Sequence, residues 1–151
     1  MNIKDYGLTD NYNNYLNERL NLMPARITAV HKDRYQTVSD KGEGFARLKR
    51  GSCYRSVDYP ATGDFVLMEY NSAGEGLICE ILPRKSVFVR AAVSEGRGAA
   101  RSQTVAANFD YVFIVQSLNA DFNTNRMQRY LSLAWESGGI PVLILTKSDL
   151  G

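Results

Sequence analysis

The alternation of apolar and polar residues changes period twice along the chain. Over residues 1–24, Leu8, Tyr12, Tyr15, Leu16 and Leu20 recur near helical spacing. This predicts a helical extension, with Thr9 as N-cap and Pro24 as its stop. From residue 25 to 83 the period drops to two. Arg26–His31, Tyr35–Ser39, Phe45–Lys49, Phe65–Tyr70 and Leu77–Leu82 alternate between turn clusters such as Asp40–Gly44 and Asn71–Gly76. Five short strands suit a small closed β-barrel of the OB type, because closure removes exposed edges. An SH3-like barrel is the competing assignment, since alternation does not fix strand order.

Residues 84–102 read as a linker. Its Gly96-Arg97-Gly98-Ala99-Ala100 is glycine-rich and basic, but no Lys-Ser/Thr follows and no apolar strand precedes it. It is therefore not a phosphate loop. Over residues 103–151 the pattern becomes apolar run, helical stripe, apolar run. Tyr111–Val115 and Val142–Leu145 read as parallel strands. Between them, Asn123 or Thr124 caps a helix whose face Met127, Tyr130, Leu131, Ala134 and Trp135 is expected to pack on the sheet. Gly138-Gly139 and Pro141 stop it. Two strands cannot bury both faces of a sheet, so this βαβ unit reads as the start of a larger α/β domain.

Composition narrows the class. Apolar residues make up 44% of the 151, enough for a globular core. No apolar run has membrane-spanning length and the N-terminus lacks a secretory apolar segment, so a cytoplasmic protein without membrane contact is expected. Cys53 and Cys79 form no Cys-x-x-Cys pair and read as reduced, packed thiols. Net charge is +2, but residues 26–101 hold thirteen basic against nine acidic side chains, a balance of +4. Arg34, Arg47, Lys49 and Arg50 lie at strand ends and turns near Tyr35, Phe45 and Tyr54. Cations interleaved with aromatics are what OB folds use to hold single-stranded nucleic acid. The alternative is that the aromatics are barrel core and the cations a solvated rim. His31 has no neighbours that suggest catalysis or a metal.

The sharpest chemistry is Thr146-Lys147-Ser148-Asp149, directly after the second apolar run. Ligands of parallel α/β units sit at the carboxyl ends of strands. The tetrapeptide is a variant of the Asn-Lys-x-Asp element with which GTP-binding proteins read guanine. Guanine presents two adjacent donors, the ring N1–H and the amino group, and a carboxylate has the matching fork of two acceptors. Asp149 is thus the specificity residue. The Lys147 stem can lie along the base, and Thr146 braces the loop. No residue of the chain is assigned a catalytic or metal-binding role.

The runs Gln103–Val115, Asp121-Phe122-Asn123, Arg129–Gly138 and Thr146–Leu150 resemble the ribosome small-subunit-dependent GTPase A family. Tyr59–Asp64 and Pro83–Phe88 resemble its barrel. The resemblance implies an OB fold, a circularly permuted GTPase domain of the P-loop type and a small zinc-binding domain. Permutation places guanine recognition ahead of the phosphate loop, and no Gly-x-x-x-x-Gly-Lys-Ser/Thr precedes Thr146. The chain accordingly reads as a monomeric N-terminal fragment. Its implied partners are GTP or GDP and the RNA of the small ribosomal subunit, bound late in assembly. Mg²⁺ and a structural zinc are implied only beyond Gly151. The competing reading is a stand-alone OB-type RNA-binding module without nucleotide chemistry.

Overall fold

A computed structural model describes residues 2–49, 58–91 and 102–150. Arg50, Cys53, Tyr54, Arg55 and the Gly96–Ala100 loop lie outside the described residues. Five strands close a barrel: β1 (Met23–Val30), β2 (Tyr35–Ser39), β3 (Gly42–Leu48), β4 (Phe65–Glu69) and β5 (Gly76–Ile81), in the order β1-β2-β3-β5-β4. The pairing of β3 with β5 is parallel, and β1 pairs antiparallel with β4 to close the ring. This is the OB strand order, and it resolves the choice between the two barrels.

The alternation that predicted the strands also divides the core. Ala25, Ile27, Tyr35, Ala46, Val66, Met68 and Ile78 come from all five strands and fill the barrel. Tyr35 is therefore core, while Phe45 on the opposite face of the β2–β3 ladder is exposed. β4 is buried on both faces, because Phe65 and Leu67 turn outward under an N-terminal arm. Ile3, Leu8 and Tyr12 of that arm pack with Val38, Phe65, Leu67 and Leu82.

The arm is not the single helix expected. It consists of two 3-10 turns, Ile3–Tyr6 and Asp10–Tyr12, and a five-residue helix α1 (Asn13–Asn17). Thr9 precedes the second turn but makes no capping hydrogen bond, and Leu20 is exposed. Pro24 lies inside β1 opposite Leu67, so it stops no helix. A run rich in Asn supplies local side-chain acceptors that compete with a continuous helix. Asn2 is one: its side chain accepts from the Lys4 amide at 3.0 Å.

The expected linker is strand over part of its length. β6 (Val87–Ala91) pairs antiparallel with β7 (Ser102–Ala107), so residues 87–91 are corrected from linker to strand. Val87, Phe88 and Val89 have the β-branched and aromatic character that favours this. The βαβ unit follows as β8 (Tyr111–Ser117), α2 (Thr124–Glu136) and β9 (Ile140–Thr146), with β8 and β9 parallel from Tyr111↔Ile140 to Ser117↔Thr146. Asn123 is the N-cap, its side chain accepting from the Arg126 amide at 2.9 Å.

Trp135 corrects the sequence reading: it is 65% exposed and not core. α2 buries Ala134 and half-buries Met127 and Leu131, while Tyr130, Leu133 and Trp135 face outward. A sheet of two strands is narrower than the stripe predicted for the helix. The far face of β8 is equally bare, with Tyr111, Phe113 and Val115 at 59, 65 and 63% exposure.

A compact joint binds the barrel to this unit. Gly63 (φ +91°) approaches the chain so closely that a Cβ there would lie 2.0 Å from the Ala107 carbonyl oxygen. The Ala107 amide donates to the Thr62 carbonyl at 2.9 Å. Asn108, in the left-handed region at φ 54°, donates from Nδ2 to the Gly63 carbonyl and accepts from the Lys85 amide on Oδ1. Ser86 Oγ donates to the Phe109 carbonyl at 2.6 Å and accepts the Phe109 amide at 2.8 Å. Beneath these contacts Arg84 grips buried Asp64 with two bonds of 2.7 Å.

Candidate functional site

The tetrapeptide Thr146-Lys147-Ser148-Asp149 sits where the carboxyl ends of β8 and β9 meet. Parallel pairing brings Ser117 opposite Thr146, and the Thr146 carbonyl accepts from the Leu118 amide at 2.9 Å. Thr146 is half-buried and ends β9. Lys147 then takes φ 56°, one of two non-glycine residues with positive φ among those described. An L-residue pays a steric cost there of about 1 kcal/mol, so such a position marks a backbone set by its surroundings. The left-handed step turns the chain sharply off the strand into a 3-10 turn, Ser148–Leu150, whose first turn carries Asp149.

Lys147 and Asp149 are both exposed. Neither makes an ion pair or side-chain hydrogen bond among the described residues, so the ammonium and the carboxylate stand open to a ligand. The facing loop is fixed. Asn119 Oδ1 accepts from Ser117 Oγ at 2.9 Å and from the Asp121 amide at 3.1 Å, and Arg126 pairs with Asp121 at 3.1 Å. Gln116 Nε2 donates to the Asn123 carbonyl at 3.2 Å, tying the end of β8 to the start of α2. A hollow of about 270 Å³, lined by Gln116, Ser117, Asp121, Arg126 and Tyr130 among others, opens beside this strand end.

The four RNA-binding candidates fare differently. Arg34 and Arg47 both reach Glu75, Arg34 at 4.0 Å and Arg47 through Nε, and Lys49 pairs with Glu69. Arg50 lies outside the described residues. The Arg34 guanidinium stacks 4.3 Å from the centroid of exposed Phe45, and His31 lies 6.3 Å from the same ring. The aromatic and the two arginines therefore do share one surface, with its charge partly neutralised by Glu75. Sequence reading gave no role to Arg26, Asp64, Arg84 and Asn108, whose hydrogen bonds tie the arm, the barrel and the joint together. For Asp64, Arg84 and Asn108 the available signal was their place in short runs around Gly63, Pro83 and Phe109; Arg26 had none.

Comparison with known proteins agrees with this geometry. Residues 81–151 match the family model described as RsgA GTPase. The chain is 41% identical over 155 residues to the small ribosomal subunit biogenesis GTPase RsgA 2 of Listeria monocytogenes, a match covering 99% of this chain and 41% of that protein. It is 46% identical over 127 residues to RsgA 1 of Listeria innocua, covering 83% of this chain and 34% of that protein. The chain thus spans about two fifths of the length of these relatives. Among solved structures, the fold superposes on YjeQ from Thermotoga maritima with a TM-score of 0.65 at 21% identity, covering 85% of this chain and 42% of that one. It superposes on YloQ, described as a circularly permuted GTPase, with a TM-score of 0.63 at 20% identity and the same coverage. By sequence along nearly its whole length, and by its OB barrel followed by the βαβ unit, the chain belongs to the RsgA GTPase family.

Proposed function

We propose that this chain is the guanine-reading and RNA-contacting part of a cytoplasmic GTPase that acts on the small ribosomal subunit during its assembly. The observation that carries the reading is the placement of Thr146, Lys147 and Asp149 at the carboxyl end of β9, with both charged groups exposed and uncommitted. The left-handed step at Lys147 is what turns both groups off the strand end, where the ligands of parallel α/β units sit. The names of the relatives, small ribosomal subunit biogenesis GTPases, supply the partner class. In this reading the phosphate loop, the Mg²⁺ ligands and a structural zinc would lie in the part of such proteins that this chain does not cover.

Positioning and charge stabilisation by phosphate-binding groups and Mg²⁺ supply most of phosphoryl-transfer catalysis. The chain by itself is therefore expected to hydrolyse GTP no faster than buffer. Single-turnover assays on protein freed of contaminating GTPases check this, and a rate above background would overturn the division of labour.

In this reading the barrel meets RNA through the Phe45 surface. A cation that neutralises a phosphate contributes to the salt dependence of binding, with a slope of about −0.7 per contact on a single strand. Replacing Arg34 and Arg47 together by Ala should flatten the slope by roughly 1.4, about 0.7 for each contact. Glu75→Gln should act oppositely, since Glu75 competes with phosphates for both arginines. Filter binding to small-subunit RNA across a salt series measures both. Unchanged slopes in the two variants would move the contact off this surface.

A further inference from the structure

We propose that a second site, the cleft where the N-terminal arm meets the barrel and the joint, binds a phosphate group. The cleft has a volume of about 470 Å³, and its wall includes Thr9, Tyr15, Arg26, Arg84, Lys85 and Asp110. It does not include Thr146, Lys147 or Asp149, so the proposal is independent of guanine recognition.

Arg26 is the centre of the argument. It projects from the outer face of β1, opposite Val38 and Phe65, with its guanidinium 5.1 Å from the Phe65 ring centroid. Its hydrogen-bond partners are two neutral backbone carbonyls, that of Tyr6 in the arm and that of Asn108 at 3.0 Å. No carboxylate lies within ion-pair distance of it among the described residues. Burial lowers its pKa from the usual arginine value, and the field of Asp110 opposes that only in part. A half-buried guanidinium without a counter-ion is a costly arrangement in a fold that pairs Arg84 fully with Asp64. Arginine carries five N–H donors in a planar fork, so two carbonyls leave donors for a bound oxyanion.

The rest of the wall suits the same ligand. Arg84 adds positive potential, although its hydrogen bonds go to Asp64, Asp58 and the Tyr59 carbonyl. Lys85 is exposed and paired with Asp110 at 2.5 Å. An exposed pair is easily exchanged, so the ammonium can be shared with an anion seated over Arg26. Asp64 and Asp58 meet the charge of Arg84, and Asp110 meets that of Lys85, so of these three cations Arg26 is the one left for a ligand. A phosphate has oxygens to spare for the Lys85 ammonium once two face the Arg26 fork, which a carboxylate lacks. Tyr15, half open at the mouth, offers a ring against whatever carries the phosphate.

The same chemistry fits a small phosphorylated molecule or the backbone of RNA, and the test separates them. The 151-residue chain is titrated with inorganic phosphate, with a short single-stranded RNA lacking terminal phosphates, and with acetate at matched ionic strength. The Arg26 Nε–H and the Gly7 and Asn108 amides are followed by NMR. Saturable shifts are expected with phosphate, with RNA, or with both, and none with acetate. Arg26→Lys keeps the charge but loses the fork, and should weaken binding about tenfold; Lys85→Gln should weaken it about threefold. Should Arg26→Lys release the arm, Lys85→Gln decides alone, because the hydrogen bond of that side chain goes to Asp110 and not to the arm. No saturable shift with either phosphate source, acetate binding equally well, or undiminished affinity in Lys85→Gln would each overturn the proposal.

Discussion

In a protein that carries this chain together with a phosphate loop, Asp149→Asn is expected to lose GTP affinity and to gain affinity for the xanthine nucleotide. The carboxylate of Asp149 would accept both the N1–H and the amino group of guanine. The substitution replaces one acceptor by an NH₂ donor, which then confronts the guanine amino group. A donor left facing a donor in a desolvated pocket costs the full desolvation of both, so the loss should be on the order of a hundredfold. Xanthine has a carbonyl where guanine has the amino group, and the same NH₂ becomes complementary to it. Lys147→Ala should weaken both nucleotides alike, because its stem would lie along the base without reading its edge. Competition titrations of the two nucleotides against parent and variants measure the exchange. GTP binding in Asp149→Asn equal to the parent's would reduce the tetrapeptide to a strand-end turn, whatever its φ at Lys147.

What could be read from the sequence follows from the range of the forces involved. The five barrel strands were legible because each side chain's face is set by its own position in a period of two, and Ala25, Ile27, Val66 and Ile78 all obey it. The position of the tetrapeptide at the end of β9 was legible because an apolar run followed directly by polar residues marks where a strand stops. Trp135 was misread because helical periodicity gives the direction of a side chain, not the width of the surface awaiting it. Two strands bury Ala134 and leave Trp135 in solvent. β6 was misread because the glycine-rich run beyond it dominated the window, while its partner β7 lies past that run. The barrel cations were found, but their neutralisation was not. Glu75 is 41 residues from Arg34 and 28 from Arg47, and no local pattern links them. The arm failed for a related reason, since Ile3 and Tyr12 are held by Asp40 and Pro83, distant contacts that override weak helix propensity.

Asp64→Asn is expected to be among the most destabilising single substitutions in the chain. Asp64 is 0% exposed, and its carboxylate accepts Arg84 Nε and Nη2 at 2.7 Å each and the Ala61 amide at 2.8 Å. The Arg84 side chain is itself only 11% exposed. An intact buried pair adds little net stability, because attraction mostly repays desolvation. Removing one charge of a buried pair is different and costs about 3–5 kcal/mol, although Arg84 keeps exposed Asp58 at 3.2 Å when Asp64 is neutralised. Asn retains the shape and one acceptor, so the lower half of that range applies, with an unfolding midpoint lower by roughly 10 °C. Arg84→Met should be costly for the mirror-image reason. The double variant Asp64→Asn, Arg84→Met should lose less than the sum of the two, by on the order of 1–3 kcal/mol, since neither charge is then left alone. Urea titrations of the four proteins give the coupling. The loss would also be felt at the joint, because Asp64 holds the Ala61–Asp64 turn from which Thr62 and Gly63 contact Ala107 and Asn108. Variants that fold should therefore show faster amide exchange at Ala107 and Asn108 than at Val66 in the barrel. Additive losses, or an Asp64→Asn midpoint within about 2 °C of the parent, would show that the pair is a bystander and that Gly63 and Asn108 hold the barrel to the βαβ unit without it.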